Sequence, residues 1–363
     1  MKIGILVSMI NNFGEKGFYN SQEIGMAKAL VSNGHRVIVY KLLKKGSVLP
    51  LNEARNNLDI KYFTVASLGI NGLVQTKILD KTLDRLVFFS DTQLSVPAVY
   101  RWCKKNEVQF VPYIGVIESH SNNKIIKKTI DFLFKRNLAV FKKCRCLVKN
   151  SDVARRLNTL GINNTVVAPV GLDIDLLRND YRLFKKDELK RKYGFEDANK
   201  VLLFIGRLEQ EKRPVDLIEY FNKLRTFNDE YRLLIVGKGN LYADMMRKID
   251  EYSLSRYVKY IEKIPNENIW ELYRLCDYFV NLNKQEIFGM VLLEAMYYET
   301  TVIAWHAPGP DYIIEHNKSG FLVSSEDDIL QIIMNSKVDM GPNAHERVIK
   351  HLTWNKTAQI ITS

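Results

Sequence analysis

Short apolar segments recur along this chain, each followed by residues of helical period, in two consecutive series separated by a polar stretch. The first series is KIGILVSM (2–9), RVIVY (36–40), RLVFFS (85–90), VQFVPYIG (108–115), CRCLVKNS (144–151) and NTVVAPVGLD (164–173). Between its first two members, a helical run from about Asn20 to Asn33 places Ile24, Ala27 and Val31 on one face, and NGH closes it. Residues 176–200 are polar, charged and helix-prone, with no apolar strand. The second series then begins: KVLLFIGRL (200–208), YRLLIVGKG (231–239), YVKYIEKI (257–264), CDYFVNLN (276–283) and TTVIAW (300–305). Strands alternating with helices predict mostly parallel sheets covered on both faces. The fold class is therefore α/β, with two doubly wound domains at 1–175 and 176–343. A last helical stretch, 344–363, carries Trp354. Ligands of such sheets sit at the carboxyl ends of the strands, so two domains facing each other would make a cleft.

A length of 363 residues suits two domains, and 46% hydrophobic with 26% charged residues suits ordinary globular cores. The four cysteines lack the paired spacing of a zinc or redox site, which predicts reduced thiols. MKIGILVSMI is short and has no small-residue cleavage site after it, so it reads as a buried strand. No run approaches the ~20 apolar residues of a membrane span. A cytoplasmic protein is expected, with any membrane contact peripheral, on the inner face of the cell membrane. The net charge of +12 calls for an anionic partner: nucleic acid, anionic lipid or a phosphorylated small molecule. Without zinc-finger spacing or an aromatic RNP-type segment, nucleic acid is not expected.

The chemistry concentrates in NKQEIFGMVLLEAM, residues 283–296. A carboxylate buried without partners costs several kcal/mol. Either Glu286 and Glu294 both face water, or something occupies the space between them. With a strand ending near Asn283 and a helix starting near Gly289, Glu286 falls in the connecting loop. The first amides of that helix, at Gly289 and Met290, form an anion site that glycine lets a ligand approach. Glu294 lies little more than one turn inside, and helical side chains lean back toward the N-terminus. Carboxylates accept well from hydroxyls. One phosphate group flanked by two hydroxyl-rich groups fits, as in a nucleotide sugar. Upstream, Gly206 and Arg207 end a strand and Lys212 follows, a fork and a mobile cation suited to a diphosphate. Two solvated cations in a charged loop are the competing reading.

GRLEQEK (206–212) followed by EIFGMVLLEAM (286–296) resembles the signature of the family 4 retaining nucleotide-sugar glycosyltransferases, glycosyltransferase group 1, of GT-B fold. The acids match that family's Glu-x7-Glu motif. NGHRVIVY, VVAPVGLD, RLLIVGKG, NKSGFLV and LTWNKTA extend the resemblance over the whole chain. It implies two Rossmann-like domains facing a central cleft: an acceptor domain to residue 175, a donor domain at 176–343, and 344–363 returning to the first. It implies a transferase of hexosyl type, with a UDP-sugar donor, no cofactor and no required metal. It assigns the diphosphate to Arg207 and Lys212, the donor sugar to Glu286, the phosphate to the amides of Gly289 and Met290, and the ribose to Glu294. Phe288 and Val291 fall within the same donor-binding stretch. Lys263 and Ile264 match the loop that frames the base. The partners implied are a nucleotide-sugar donor and a saccharide or lipid-linked acceptor, in cell-surface polysaccharide or glycolipid biosynthesis.

The first domain departs from the family. Its usual Gly-Gly loop appears as GEKGFYNSQE, which puts Gly17 at the donor. Where many relatives carry a histidine, FVPYIGVIESHSNN offers Glu118 and His120 as substitutes, against a plain solvated loop. Asp91 ends another strand and is a candidate acceptor contact. DID at 173–175 mimics a metal motif but sits in the element before the linker, so it reads as structural. Residues 124–143 are basic, with Ile126, Ile130, Leu133 and Phe141 near one helical face. Packing on the sheet and a patch for an anionic membrane, through Lys124, Lys127, Lys128 and Lys135, are both compatible with that pattern. Two alternatives remain: a GT-B nucleotide-sugar epimerase, and a basic nucleic-acid-binding protein.

Overall fold

The computed structural model describes residues 1–10, 21–117, 124–196, 198, 200–336 and 338–363, without the side chains at 124–127, 129, 130 and 133. It divides into two compact units, 1–173 with 353–363, and 174–352.

The first unit's strands are β1 (Lys2–Val7), β2 (Arg36–Lys44), β3 (Glu53–Arg55), β4 (Leu58–Val65) and the pair β5 (Ser67–Leu68) and β6 (Asn71–Gly72). Then come β7 (Arg85–Phe89), β8 (Gln109–Ile114), β9 (Cys146–Val148) and β10 (Thr165–Val167). Its helices are α1 (Gln22–Ser32), α2 (Val96–Lys105), α3 (Lys124–Phe141) and α4 (Ser151–Thr159). The main sheet has the order β10-β9-β8-β7-β1-β2-β4-β3 and is parallel except for β3, which pairs antiparallel with β4. Leu6, Phe88 and Phe110 pack there with Val99 and Cys103 of α2 and Phe141 of α3. Lys41, inside the buried run of β2, bonds Glu23 of α1 at 2.9 Å, which pairs two charges that would be costly alone. All four cysteines are free and buried, and burial pushes the thiols of Cys103 and Cys146 up to about 12. They are packing residues, as inert as buried thiols are expected to be.

The second unit has α5 (Lys186–Lys192), β11 (Lys200–Ile205), α6 (Pro214–Phe227), β12 (Tyr231–Val236), α7 (Tyr242–Glu251) and β13 (Val258–Ile261). It continues with α8 (Ile269–Leu275), β14 (Tyr278–Asn281), α9 (Met290–Tyr297), β15 (Thr301–Trp305), α10 (Pro310–Ile313), β16 (Phe321–Val323), α11 (Glu326–Asn335) and α12 (Gly341–His351). The order β13-β12-β11-β14-β15-β16 is parallel throughout. Leu202 and Phe204 of β11 pack with Ile218 and Phe221 of α6. Sequence neighbours run outward from β11 on one side and from β14 on the other. The crevice above these two strands is the topological switch point, where sheets of this class bind ligands.

The stretch 344–363 is not one helix returning to the first unit. It is cut at Leu352: α12 stays with the second unit against α9, and only α13 (Trp354–Thr362) joins the first. The cut follows from what Trp354 needs. Thr353 bridges Leu172, the Thr357 hydroxyl donates to the Pro169 carbonyl at 2.6 Å, and the indole sits on Gly25 of α1. A Cβ on Gly171 would lie 2.1 Å from the Trp354 nitrogen, a backbone atom that cannot swing away. We expect Gly171→Ala to destabilise the first unit by about 1–3 kcal/mol, the usual cost of overpacking. Denaturant melts and earlier proteolysis of 353–363 would show it; unchanged curves would mean the seat of α13 is soft.

Candidate functional site

The strongest constellation lies above β11 and β14. After β11 the chain turns through Gly206 and Arg207 into a single 3-10 turn, Gln210–Lys212, and Arg213 takes a left-handed conformation (φ 56) before α6. After β14, Asn283 and Glu286 lead to Gly289, left-handed at φ 95, and α9 begins at Met290. The two loops meet: the Lys212 ammonium donates to Glu286 Oε2 at 2.5 Å, with side chains 20% and 13% exposed. The same oxygen accepts from Asn281 Nδ2 at 3.4 Å and Asn283 Nδ2 at 3.3 Å. Both asparagines are buried, and their own carbonyls cap the backbone amides of Asn283 and Gln285. Glu286 thus stands on a polar scaffold at a strand end instead of facing water freely.

Gly309 fixes the back of this loop. Its amide donates to the Glu286 carbonyl at 2.8 Å, and any Cβ there would lie 2.3 Å from the Phe288 carbonyl oxygen. Phe288 is buried beneath, so the loop is clamped between core and backbone. Gly289, the N-cap of α9, has no side chain to cap it, and the first amides carry the positive end of the helix dipole. Glu294 is buried inside α9 and accepts from the Tyr273 hydroxyl at 2.8 Å, which fixes its rotamer. Val291 is half-buried beside it.

Other expected residues sit differently. Arg207 is 72% exposed and bonds Glu211 at 2.7 Å, one turn along. Lys263 is exposed and Ile264 half-buried after β13, with β12 between them and β11. In the first unit, Asp91 follows β7, which with β1 forms that sheet's switch point. Its Oδ1 accepts from the amides of Gly115 at 2.5 Å and Val116 at 2.9 Å, so it holds the loop after β8. Gly17, Glu118 and His120 lie outside the described residues. Asp173 of the DID segment is buried and bonds Lys28 at 2.9 Å. Along α3, Lys128, Phe132, Lys135 and Arg136 are exposed while Phe134, Val140 and Phe141 are buried, so the described part packs on the sheet with its basic side outward. Among the described residues there is no cluster of three metal-ligating side chains, and no helix long and apolar enough to cross a membrane.

Residues 185–337, which hold this whole constellation, match the family model described as glycosyl transferases group 1. Those residues are similar to a group 1 glycosyl transferase domain. Sequence relatives of the chain carry related names. N-acetyl-alpha-D-glucosaminyl L-malate synthase of Bacillus anthracis is 29% identical over 224 residues, 58% of this chain and 58% of that protein. Alpha-monoglucosyldiacylglycerol synthase of Acholeplasma laidlawii is 22% identical over 47% of this chain and 43% of its own. The chain thus spans about half the length of these curated relatives. Among solved structures, Anabaena HepE in complex with UDP and glucose aligns over 100% of this chain and 98% of its own, at TM-score 0.70 and 17% identity. The fold is GT-B, two Rossmann-like units in one chain, and the group 1 match lies in the second of them.

Asn281, Asn283, Gly309 and Tyr273 are the site residues that sequence reasoning missed. The alternating asparagines of VNLN were the available signal, because polar residues closing a buried strand need a reason to be there.

Proposed function

We propose that the protein transfers a sugar from a nucleotide diphosphate donor, a UDP-sugar, to an acceptor hydroxyl with retention of configuration. The observation that carries this reading is the Lys212–Glu286 contact at the switch point, set before the uncapped start of α9. A cation, a helix terminus and an acceptor-only carboxylate converge there, and a sugar diphosphate uses all three. The complexes of HepE with UDP, with UDP-glucose, and with UDP and glucose support uridine as the base.

In this mechanism the diphosphate draws the Lys212 ammonium from Glu286, and the first amides of α9 take a phosphate oxygen. Glu286, held by Asn281 and Asn283, accepts from donor-sugar hydroxyls and positions the anomeric carbon. Glu294 accepts from the ribose. The bond from the anomeric carbon to the phosphate oxygen breaks as the acceptor oxygen bonds on the same face, and the acceptor proton passes to the departing phosphate. Charge on the leaving group is stabilised by Lys212, Arg207 and the helix amides, where preorganised donors are worth most. Asp91, Glu118 or His120 would face the acceptor, and Lys263 with Ile264 the base. The acceptor is a saccharide or a lipid-linked glycan of polysaccharide or glycolipid synthesis, reached from a cytoplasmic, peripherally membrane-bound position.

Thermal melts with UDP-, GDP- and ADP-glucose test the donor. A ligand at 100 times its Kd stabilises by about 2.7 kcal/mol, so UDP-glucose is expected to raise Tm by several degrees and the others by less. Slow acceptor-free release of UDP should follow. Formation of an epimerised nucleotide sugar with no acceptor consumed would overturn transfer.

A further inference from the structure

One corner of the first unit carries apolar side chains where loops ordinarily carry polar ones. β2 ends at Lys44, and the chain must cross the end of β4 to reach β3, because β4 lies between them in the sheet. The crossing segment is GSVLPLN (46–52), and it exposes Val48 by 87% and Leu51 by 89%. From the same sheet end, where the Lys45 amide donates to the Val65 carbonyl, the β5–β6 hairpin emerges. Its tip exposes Leu68 by 63% and Ile70 beside it, around Gly69 in open space. The hairpin is held in place: the Gly72 amide donates to Ser8, the Ile10 amide to Ile70, and Met9 bridges Asn71. The exposure is therefore presented on an anchored base. Lys44 and Lys45, both exposed, stand at this sheet end, and neither 44–52 nor 66–73 contains an acid.

We propose that this corner, the 46–52 crossing and the β5–β6 tip, is the surface by which the protein docks on an anionic lipid bilayer. Contiguous exposed apolar groups mark interaction sites. The lysine pair, with no acid beside it in either segment, favours a negatively charged surface, and apolar insertion with basic flanks is the mode of reversible interfacial binding. The parallel strands put this corner at the same sheet end as Ser8 and Asp91, so docking there sets the acceptor end of the unit toward lipid. That orientation rests on the transferase reading with a lipid-linked acceptor; the docking itself does not. The exposed basic side of α3 is a different surface, and its attraction would be purely electrostatic.

The full-length protein, co-sedimented with vesicles of phosphatidylcholine mixed with phosphatidylglycerol, tests the assignment. Wild type should pellet, and keep part of its binding at high salt, where charge beyond a Debye length is screened. The triple change Val48→Ser, Leu51→Ser, Leu68→Ser should lower the vesicle partition constant by about tenfold or more per inserted side chain lost, since each leaves an apolar interface. These exposed residues touch no core, so UDP-glucose melts should be unchanged. Wild type that ignores the vesicles yet responds to UDP-glucose overturns the docking and leaves the donor reading standing. Vesicle binding without any response to nucleotide sugars does the reverse. Pelleting that survives the triple change but is lost on Lys128→Glu with Lys135→Glu moves the contact to α3 and overturns the proposal. So does a wild-type dimer, seen by sedimentation velocity, that the triple change dissolves.

Discussion

Lys212→Ala should lower kcat/KM for the donor about 10²–10³-fold, the cost of roughly 2.7–4 kcal/mol for one preorganised group facing developing charge. Two effects add. The departing diphosphate loses the ammonium that meets its negative charge. Glu286 also loses its ammonium partner and keeps two long asparagine contacts. That unneutralised carboxylate then repels the donor before any chemistry begins. Arg207→Ala acts through the first effect alone, because Arg207 is exposed and its bond to Glu211 is a surface pair worth at most ~1 kcal/mol. Its loss should be smaller, near tenfold. Both variants should keep their circular dichroism, since neither side chain belongs to a core cluster. Purified Lys212→Ala with wild-type kcat/KM at limiting donor would place the diphosphate somewhere else.

The ranking of these two cations was not legible in the sequence. GRLEQEK shows an arginine and a lysine five positions apart in a charged loop, and nothing in the spacing separates them. The separation comes from the 3-10 turn and the left-handed Arg213, which bring Lys212 to the loop after β14 and leave Arg207 in solvent. What the sequence did carry was periodicity. Apolar runs at regular intervals placed β1, β2, β7, β8 and β11 to β15, because buried parallel strands are nearly continuous hydrophobic segments, whereas the short edge strand β16 went unread. Strands next to a sheet edge obey a different rule. LDIKYFTV, which forms β4, alternates in polarity, and the turn before it is an Asn56-Asn57 pair at φ 32 and 71 where glycine would have announced a hairpin. The β3–β6 edge went unread for that reason.

The end of the chain illustrates the same limit. HERVIKHLTWNKTAQ has continuous helical character, and its break at Leu352–Thr353 depends on a contact 183 residues away in sequence, where Gly171 leaves room for the backbone of Trp354. Local propensity contains no such information. The Glu-x7-Glu spacing is the opposite case. Two acids bracketing glycine and an apolar run required partners wherever they were buried, and the partners are there: Lys212, Asn281 and Asn283 for Glu286, and Tyr273 for Glu294. The need was legible; which residues met it was not.

Those partners assign the acids separate kinetic signatures. Glu286 Oε2 already faces three nitrogen donors. In Glu286→Gln the amide oxygen is held toward them, which turns the NH2 group toward the donor sugar, where a carboxylate oxygen would have accepted from hydroxyls. That contact tightens as positive charge develops at the anomeric carbon, so kcat should fall about 10–100-fold with KM little changed, the sign of an interaction made in the transition state. Glu294 is buried one turn deeper and orients through Tyr273. Its glutamine variant can still accept from the tyrosine hydroxyl while binding ribose less well. Ribose does not react, so its contact is equally strong before and during the chemistry. KM should rise about tenfold, near 1.4 kcal/mol, with kcat preserved. Steady-state kinetics with UDP-glucose separates the two patterns, and equal or negligible effects from both variants would sink the division of roles. A Glu294 variant that loses kcat while Glu286→Gln loses only affinity would reverse it, placing the sugar deeper along α9 than the ribose.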